Sequence, residues 1–452
     1  MTNTNNNPAS AGAIETNDVA PIPAAERHGK PWHLFTVWSS PNLEFATVFV
    51  GALAIGFGLN VWQGLLAVLV GNALAGITHG ILSTWGPEAG LPQMVLGRNA
   101  FGKWGNLIPS AMSTLVAGIG WFAVNTVSGT FALVALLPAL TIYGALAVII
   151  LLQVGVAFVG HNLIQKWERY ATLVFAIVWL IVIFTIVTLP GAWNVAASDA
   201  TAFPWAGFTL TAGAAYGYTA GWTAFASDYT RYLPENTNSR QLGWAAGLGN
   251  WFATTLLMSV GAVAWTVASP DGNPTANFTG LLHNDLLAGL VLLGIAVGSV
   301  GANVLNVYSG AMSFLAMGFN LGFKTRRAIM VALAGIIGSI TAYSAIKGDF
   351  VGSFEGFLLV VSYWVAPWIA VVLTDWLVRG RKLDANLENS KNWAGPVAFV
   401  LATVVSIYAF CNQLAYTGPL AKAWAVGDIT PLVGFALAAV LYAVLYPAAN
   451  KK

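Results

Sequence analysis

The chain has 452 residues, 57% of them apolar and only 8% charged. A soluble domain carries about a quarter charged residues, so this composition excludes an ordinary water-soluble globule, and its hydrophobicity excludes a disordered chain. The single cysteine, Cys411, excludes a disulfide scaffold, and a net charge of +2 leaves no electrostatic footprint for nucleic acid.

What remains is a polytopic membrane protein, and its long continuous apolar runs suit helices rather than an alternating barrel. Residues 1–30 are rich in Asn, Ala, Pro and Thr and read as a disordered tail with no secretory signal. A helix needs about 20 mostly apolar residues to cross a bilayer. Twelve segments meet that need: 33–58, 61–85, 106–136, 139–160, 163–190, 206–228, 242–268, 284–310, 327–346, 352–378, 394–415 and 427–447. With twelve spans both termini share one side. Of the 19 Lys and Arg, only Lys347 and Lys422 fall on the other side, so both termini are expected in the cytoplasm and the protein in the inner (plasma) membrane. The polar stretch 379–393 is expected as a linker between a ten-helix core (31–378, in two halves, 31–190 and 206–378) and a C-terminal pair with a short tail (394–452).

The informative residues are those a lipid-facing helix does not tolerate. The first segment contains Ser39, Ser40, Pro41, Asn42 and Glu44 within six positions. Pro41 removes a backbone donor, so the helix is expected to break here, freeing carbonyls near Ser40; a simple helix start is the alternative. The sixth segment carries Gly213, Gly217 and Gly221 at every fourth position, followed by Trp222 and Asp228. That spacing serves close packing as well as unwinding, and Asp228 can equally cap or pair with Arg231. Two interrupted helices five spans apart match carriers built from inverted five-helix repeats, with the substrate between the broken helices.

In the third segment Trp121 and Asn125 share a helix face, suited to stacking and reading a flat heterocycle. Ser299, Asn303 and Asn306 form a second polar stripe on the eighth segment; interhelical hydrogen bonding is the competing role. Glu168, between Lys166 and Arg169, is either a surface ion pair or a coupling carboxylate. His79 and Glu355 are isolated signals read as structural. No metal-ligand cluster, phosphate-binding loop, nucleophile elbow or paired-carboxylate site occurs, so neither an enzyme nor an ATP-driven pump is expected, and no cofactor.

The motifs "GRNAFGKWGNLIP" (97–109), "GWFAVNT" (120–126), "KWERYA" (166–171), "AGWTAFASDYTRY" (220–232), "ANVLNVYS" (302–309) and "VSYWVAPWIAVVLTDWLVR" (361–379) together resemble the purine/cytosine permease branch of the nucleobase:cation symporters. The resemblance runs from about Trp38 to Arg379. It implies an all-helical LeuT-type fold with discontinuous first and sixth helices and two further C-terminal helices. It also implies a substrate held between Trp121 and Trp222, with Asn125 and Asn303 at its edge and Ser40, Leu43 and Glu44 beside it. Sodium-coupled relatives have hydroxyl side chains where Val297 and Gly298 stand here. With only the backbone carbonyls of Ser40 and Leu43 to add to that weak cation site, proton coupling is favoured over sodium. Glu168, Glu44 and Asp228 are the candidate coupling carboxylates. The expectation is a proton-coupled importer of cytosine or purines, lipid-embedded and without nucleic-acid partners. Allantoin, uracil, hydantoin or a vitamin pyrimidine is the alternative cargo. A channel would need a continuous polar pore, whereas the polar residues cluster.

Overall fold

The computed structural model describes residues 19–159, 176–193, 203–268, 272–319 and 323–449. Helix dominates throughout. The first segment is split into α1 (His33–Ser39), a 3-10 turn (Ser40–Asn42) and α2 (Phe45–Gly56). Then come α3 (Val61–Ser83), three short helices α4 (Trp85–Ala89), α5 (Gln93–Leu96) and α6 (Arg98–Gly105), and α7 (Leu107–Leu115). A π-turn (Val116–Trp121) joins α7 to α8 (Phe122–Leu136), followed by α9 (Ile142–Val159) and α10 (Ala176–Val187). The second half repeats the break: α11 (Trp205–Gly221), a 3-10 turn (Trp222–Phe225) and α12 (Ala226–Thr230). After it run α13 (Ser239–Ala264), α14 (Pro274–Gly280), α15 (Asp285–Ala316), α16 (Phe323–Ala332), α17 (Ser339–Lys347) and α18 (Phe350–Val378). The chain ends in α19 (Ala394–Phe410), a small hairpin β1 (Asn412–Gln413) and β2 (Tyr416–Thr417), α20 (Pro419–Trp424) and α21 (Thr430–Ala449).

Each of the twelve apolar segments contains helix, and among the described residues seven helical stretches are long and apolar enough by themselves to cross a membrane. Large apolar side chains such as Leu151, Phe184 and Leu286 stand about 70% exposed, which a water-facing surface would not tolerate in such numbers. Helix starts are set by local chemistry. Asn60 and Gln63 form a reciprocal capping box on α3, and Asn238, Asn284 and Asp349 cap α13, α15 and α18 with their side-chain oxygens.

Two packing groups position the centre. Around α13, glycines let backbones touch. A Cβ on Gly261 would fall 1.8 Å from the Val48 carbonyl and one on Gly51 would fall 1.7 Å from that of Met258, so α2 and α13 cross at the closest possible approach. Gly249 does the same for α1 against α13, and Gly71 for α3 against α11. Of the three glycines spaced along α11, Gly217 meets the α18 backbone at Leu358, whereas Gly221 has only ordinary neighbours and leads into the break. The second group, α8, α9 and α15, is joined by polar side chains described below.

Part of the expected N-terminal tail is packed. Ile22 is buried, its N–H donates to the Gly90 carbonyl, Arg27 donates to the Ile22 and Pro87 carbonyls, and the His28 N–H donates to Tyr232. One buried apolar side chain and a chain of backbone bonds suffice to hold residues 22–28 across α4. The polar linker after α18 is pinned as well. Asn99 and Asp384 exchange hydrogen bonds, Leu387 is buried, and the Lys103 N–H donates to Ser390. Gly102 adopts φ +66°, and a Cβ there would meet the Asn392 nitrogen at 2.6 Å, which accounts for the glycine inside "GRNAFGKWG". The C-terminal pair grips α18 at two levels. Tyr363 donates to Asp428, which also accepts the Asn412 and Thr430 N–H groups, and Tyr442 donates to Asp375 at 2.6 Å.

Gly261→Ala places a methyl group against backbone that cannot turn aside, and its melting temperature should fall by the equivalent of about 1–3 kcal/mol or more. Gly289→Ala, where a Cβ meets nothing within 4 Å, should not lower it. The Lys103 ammonium 2.9 Å from Glu388, with Arg98 further off, holds the Glu388 carboxyl below its usual range. This contribution is present above the ordinary carboxylate pKa and is lost as pH falls through the depressed one. Because Glu388 is mostly exposed, Lys103→Ala should cost only about 0.2–1 kcal/mol at neutral pH, and less in high salt or in acid, when read by thermal melting.

Candidate functional site

The two broken helices meet at the middle of the fold. At the first break Leu43 has φ −81°, ψ 59° and Glu44 is extended, so neither continues the helix. The Leu43 N–H donates to the Ser40 carbonyl, and the Leu43 carbonyl leaves the ladder and accepts from Trp179 Nε1. Asn42, fully buried, gathers three elements. Its Nδ2 donates to the Trp38 carbonyl at 2.7 Å and to Asn250 Oδ1 of α13 at 3.3 Å, and its Oδ1 accepts from Trp222 Nε1 at 2.9 Å. Asn250 in turn donates to the Thr219 carbonyl of α11. The second break, where Phe225 leaves helical geometry, is thereby fastened to the first through Trp222.

Glu44 stands at the start of α2, half-buried. Its Oε1 lies 2.8 Å from the Tyr218 hydroxyl, which lies 2.6 Å from Thr47 Oγ1; Thr47 donates to the Asn42 carbonyl at 2.7 Å. The Tyr218 ring packs edge-on against Trp121, with centroids 5.0 Å apart, and Phe357 packs on Trp121 in the same manner at 5.1 Å. Gly120 makes that second contact possible, because a Cβ there would fall 2.1 Å from the Phe357 ring. Trp121 closes the π-turn, whose extra residue rotates the helix face that follows. Its indole edge passes about 3.7 Å from the Cβ position of Gly221, the residue before Trp222. Trp222 turns its ring toward Trp38, 6.2 Å away, and keeps part of its surface open.

Four residues beyond Trp121, Asn125 donates to Asn303 Oδ1 at 3.0 Å. The Phe122 carbonyl can only accept, and it takes Asn303 Nδ2 at 3.0 Å; this fixes the Asn303 amide and hence the Asn125 amide. Asn306 adds a second donor to Asn303 Oδ1 at 3.2 Å. Asn303 is thus consumed within the wall, whereas Asn125 Oδ1 is buried without a protein partner. Thr126 and Gln153 extend the same network to the Ser299 carbonyl on α15.

The other residues singled out from sequence fall in different settings. Ser40 and Leu43 sit at the break, but their carbonyls already accept from the Leu43 N–H (3.1 Å) and from Trp179 Nε1 (3.1 Å). Val297 and Gly298 are half-buried on α15, offer no side-chain oxygen, and Gly298 faces open space. Asp228 is buried on α12 just beyond the second break, where Oδ1 accepts the Gln93 N–H at 2.9 Å and so caps α5. Glu168 lies outside the described residues. Asn42, Tyr218, Thr47 and Asn250 were not singled out as site residues. A weak signal for two of them was present in the spacing: Tyr218 precedes Trp222 by one helical turn, and Thr47 follows Glu44 by three residues.

The arrangement brings two indoles, Trp121 and Trp222, together with the Glu44 carboxyl and the Asn125 amide oxygen to the region where two discontinuous helices meet. A family model for permeases of cytosine/purines, uracil, thiamine and allantoin matches residues 21–434. The chain belongs to that family. It is a membrane transport protein and not an enzyme. The Bacillus subtilis protein YxlA is 29% identical over 97% of both chains. The purine-cytosine permease FCY2 of Saccharomyces cerevisiae is 26% identical over 96% of this chain and 86% of its own, and the cytosine permease of Escherichia coli (strain K12) is 24% identical over 96% and 94%. Among solved structures, the inward-facing conformation of Mhp1 aligns with a TM-score of 0.74 at 16% identity, covering 97% of this chain and 95% of that one. The closed conformation of Mhp1, a nucleobase-cation-symport-1 family transporter with bromovinylhydantoin bound, aligns at 0.71 and 17% over 97% and 96%. Those likenesses establish the fold, a LeuT-type helical architecture with discontinuous first and sixth helices, as the sequence predicts.

Trp222→Phe keeps an aromatic plane but removes the donor to Asn42. A buried acceptor left unpaired costs about 1–3 kcal/mol, so the variant should melt measurably lower than wild type. An unchanged melting temperature would show that the two breaks are not joined through this bond.

Proposed function

We propose that this permease is a secondary active importer of a nucleobase, cytosine or a purine, driven by proton symport across the inner (plasma) membrane with both termini in the cytoplasm. The observation that carries this reading is the pairing of aromatic walls with unpartnered acceptors: Trp121 and Trp222 flank the meeting of the breaks, Asn125 Oδ1 is buried without a partner, and Glu44 offers its second oxygen. Flat rings stack on indoles, and two acceptors match adjacent N–H donors of an amino-substituted heterocycle. The names of the fungal and enteric relatives agree with that cargo.

Two features support protons over sodium. Of the four positions considered for a cation, Val297 and Gly298 supply no side-chain oxygen, and the Ser40 and Leu43 carbonyls are already hydrogen-bonded. A sodium ion needs several oxygens at once. Carriers of allantoin, uracil, hydantoin or a vitamin pyrimidine would use the same two walls, and differ in the donors they present to Glu44.

A thermal-shift panel of cytosine, adenine, guanine, hypoxanthine, uracil, allantoin and hydantoin, with and without sodium, tests the reading, because a ligand that binds only the native state raises its stability. An amino-substituted base should raise the melting temperature without sodium, and Trp121→Ala should weaken its binding about tenfold or more. A shift that requires sodium would overturn the coupling assignment. No shift with any of these compounds would overturn the substrate class.

A further inference from the structure

Asn42, Thr47, Tyr218 and Glu44 form a line of three hydrogen bonds whose proton count does not close with an ionised carboxylate. The line runs from the Asn42 carbonyl to Thr47 Oγ1 (2.7 Å), to the Tyr218 hydroxyl (2.6 Å), to Glu44 Oε1 (2.8 Å). A carbonyl can only accept, and so can a carboxylate. Between these two acceptors stand two hydroxyl groups, which bring two protons for three bonds. If Thr47 donates to Asn42 and Tyr218 donates to Glu44, the Thr47–Tyr218 contact faces lone pair to lone pair and opens. All three bonds form together only when a third proton sits on Glu44. The carboxylic acid then donates to Tyr218, Tyr218 to Thr47, and Thr47 to the Asn42 carbonyl.

We propose that Glu44 is the proton-binding carboxylate of the transport cycle, and that Tyr218 and Thr47 carry its protonation state to the break in the first helix. The inference rests on the transporter reading above and assigns its coupling site. The acid is formed by uptake of a proton from water on one side of the membrane and is ionised by release to water on the other. In the protonated form the closed line orders the Asn42 backbone, whose side chain holds Trp222, and it fixes the Tyr218 ring that packs on Trp121. Both aromatic walls are thereby set when the proton is aboard, which makes proton and substrate bind cooperatively. The second carboxyl oxygen of Glu44 remains an acceptor in either form. Among the described residues, Tyr218 is the only titratable side chain in contact with Glu44. The surrounding elements present Trp121 from the π-turn, Trp179 from α10 at Leu43, and Asn42 and Thr47 from the first segment itself, none of them charged.

Substitutions separate this from a purely recognitional carboxylate. Glu44→Gln replaces the acid with an amide whose N–H donates to Tyr218 permanently, so the line stays closed. Wild type should bind its base about tenfold tighter near pH 5 than near pH 8, a tenfold change being one pKa unit of linkage. Glu44→Gln should bind tightly at both pH values and lose uphill accumulation. Tyr218→Phe and Thr47→Val each break one link, and both should bind weakly at both pH values, with the pH dependence flattened. A Glu44→Gln variant that binds as poorly as wild type near pH 8, or a pH dependence that survives in it, would overturn the proposal. The ligand-free protein gives a separate readout. Its infrared spectrum should contain a carboxylic-acid carbonyl band in acid that Glu44→Gln lacks, and identical bands in the two proteins would overturn the proton site whatever the substrate. Loss of the band in Glu44→Gln with no base binding at any pH would leave the proton site standing and remove the nucleobase reading instead.

Discussion

Everything at the centre of this bundle depends on one asparagine filling the place of a missing turn of helix. Where Pro41 and the extended Glu44 interrupt the first segment, backbone groups lose their helical partners inside a membrane that offers no water in exchange. Asn42 resolves this with a single amide: it takes the Trp38 carbonyl from its own helix, contacts Asn250 on α13 and receives Trp222 from the second break. The two interruptions of the fold are therefore not independent defects. Each satisfies the other's polar groups, and the aromatic side chains of the site are held in place by that exchange.

The surroundings divide into two mechanical materials. Around α13, backbones touch at Gly51, Gly249 and Gly261 with no side chain between them, so these helices can move only together. Along α8 and α15 the contact is instead made by amides and hydroxyls, Asn125 to Asn303 and Thr126 to Gln153. Hydrogen bonds of this kind can be exchanged for others as helices slide, whereas a glycine crossing cannot be repacked without separating. The site lies on the seam between the two, where Trp121 meets Tyr218.

Much of this was legible in the sequence because a membrane makes polar residues conspicuous. The breaks at Ser40–Glu44 and after Gly221 and the apolar helical segments all follow from asking which residues hydrocarbon would reject. What was not legible depends on which helices meet. Asn42, Tyr218 and Thr47 look like ordinary helix-break and helix-interior residues until α11 is laid against α2, and Asn303 looks like a ligand-reading side chain until its amide is found spent on Phe122, Asn125 and Asn306. The π-turn before Trp121 has no periodic signature, since a single added residue shifts the face without changing composition. Asp228 reads in sequence as a cap, a partner of Arg231 or a coupling carboxylate, and only the packing of α12 on α5 shows which N–H it caps, that of Gln93. The docking of residues 22–28 rests on one isoleucine and several backbone bonds, too small a signal for composition to show.

The grip of the C-terminal pair on α18 sets a rule for how the molecule can be shortened. Tyr363 and Asp375 lie twelve residues apart on α18, and each is satisfied from beyond the linker, by Asp428 and by Tyr442. A chain cut at residue 393 would lose more than two lipid-facing helices. It would leave a buried phenol and a buried carboxylate without these partners, on a helix that also packs against α11 through Gly217. The segment from Asp428 through α21 comes last in sequence order, yet it supplies the polar partners of Tyr363 and Asp375 on α18.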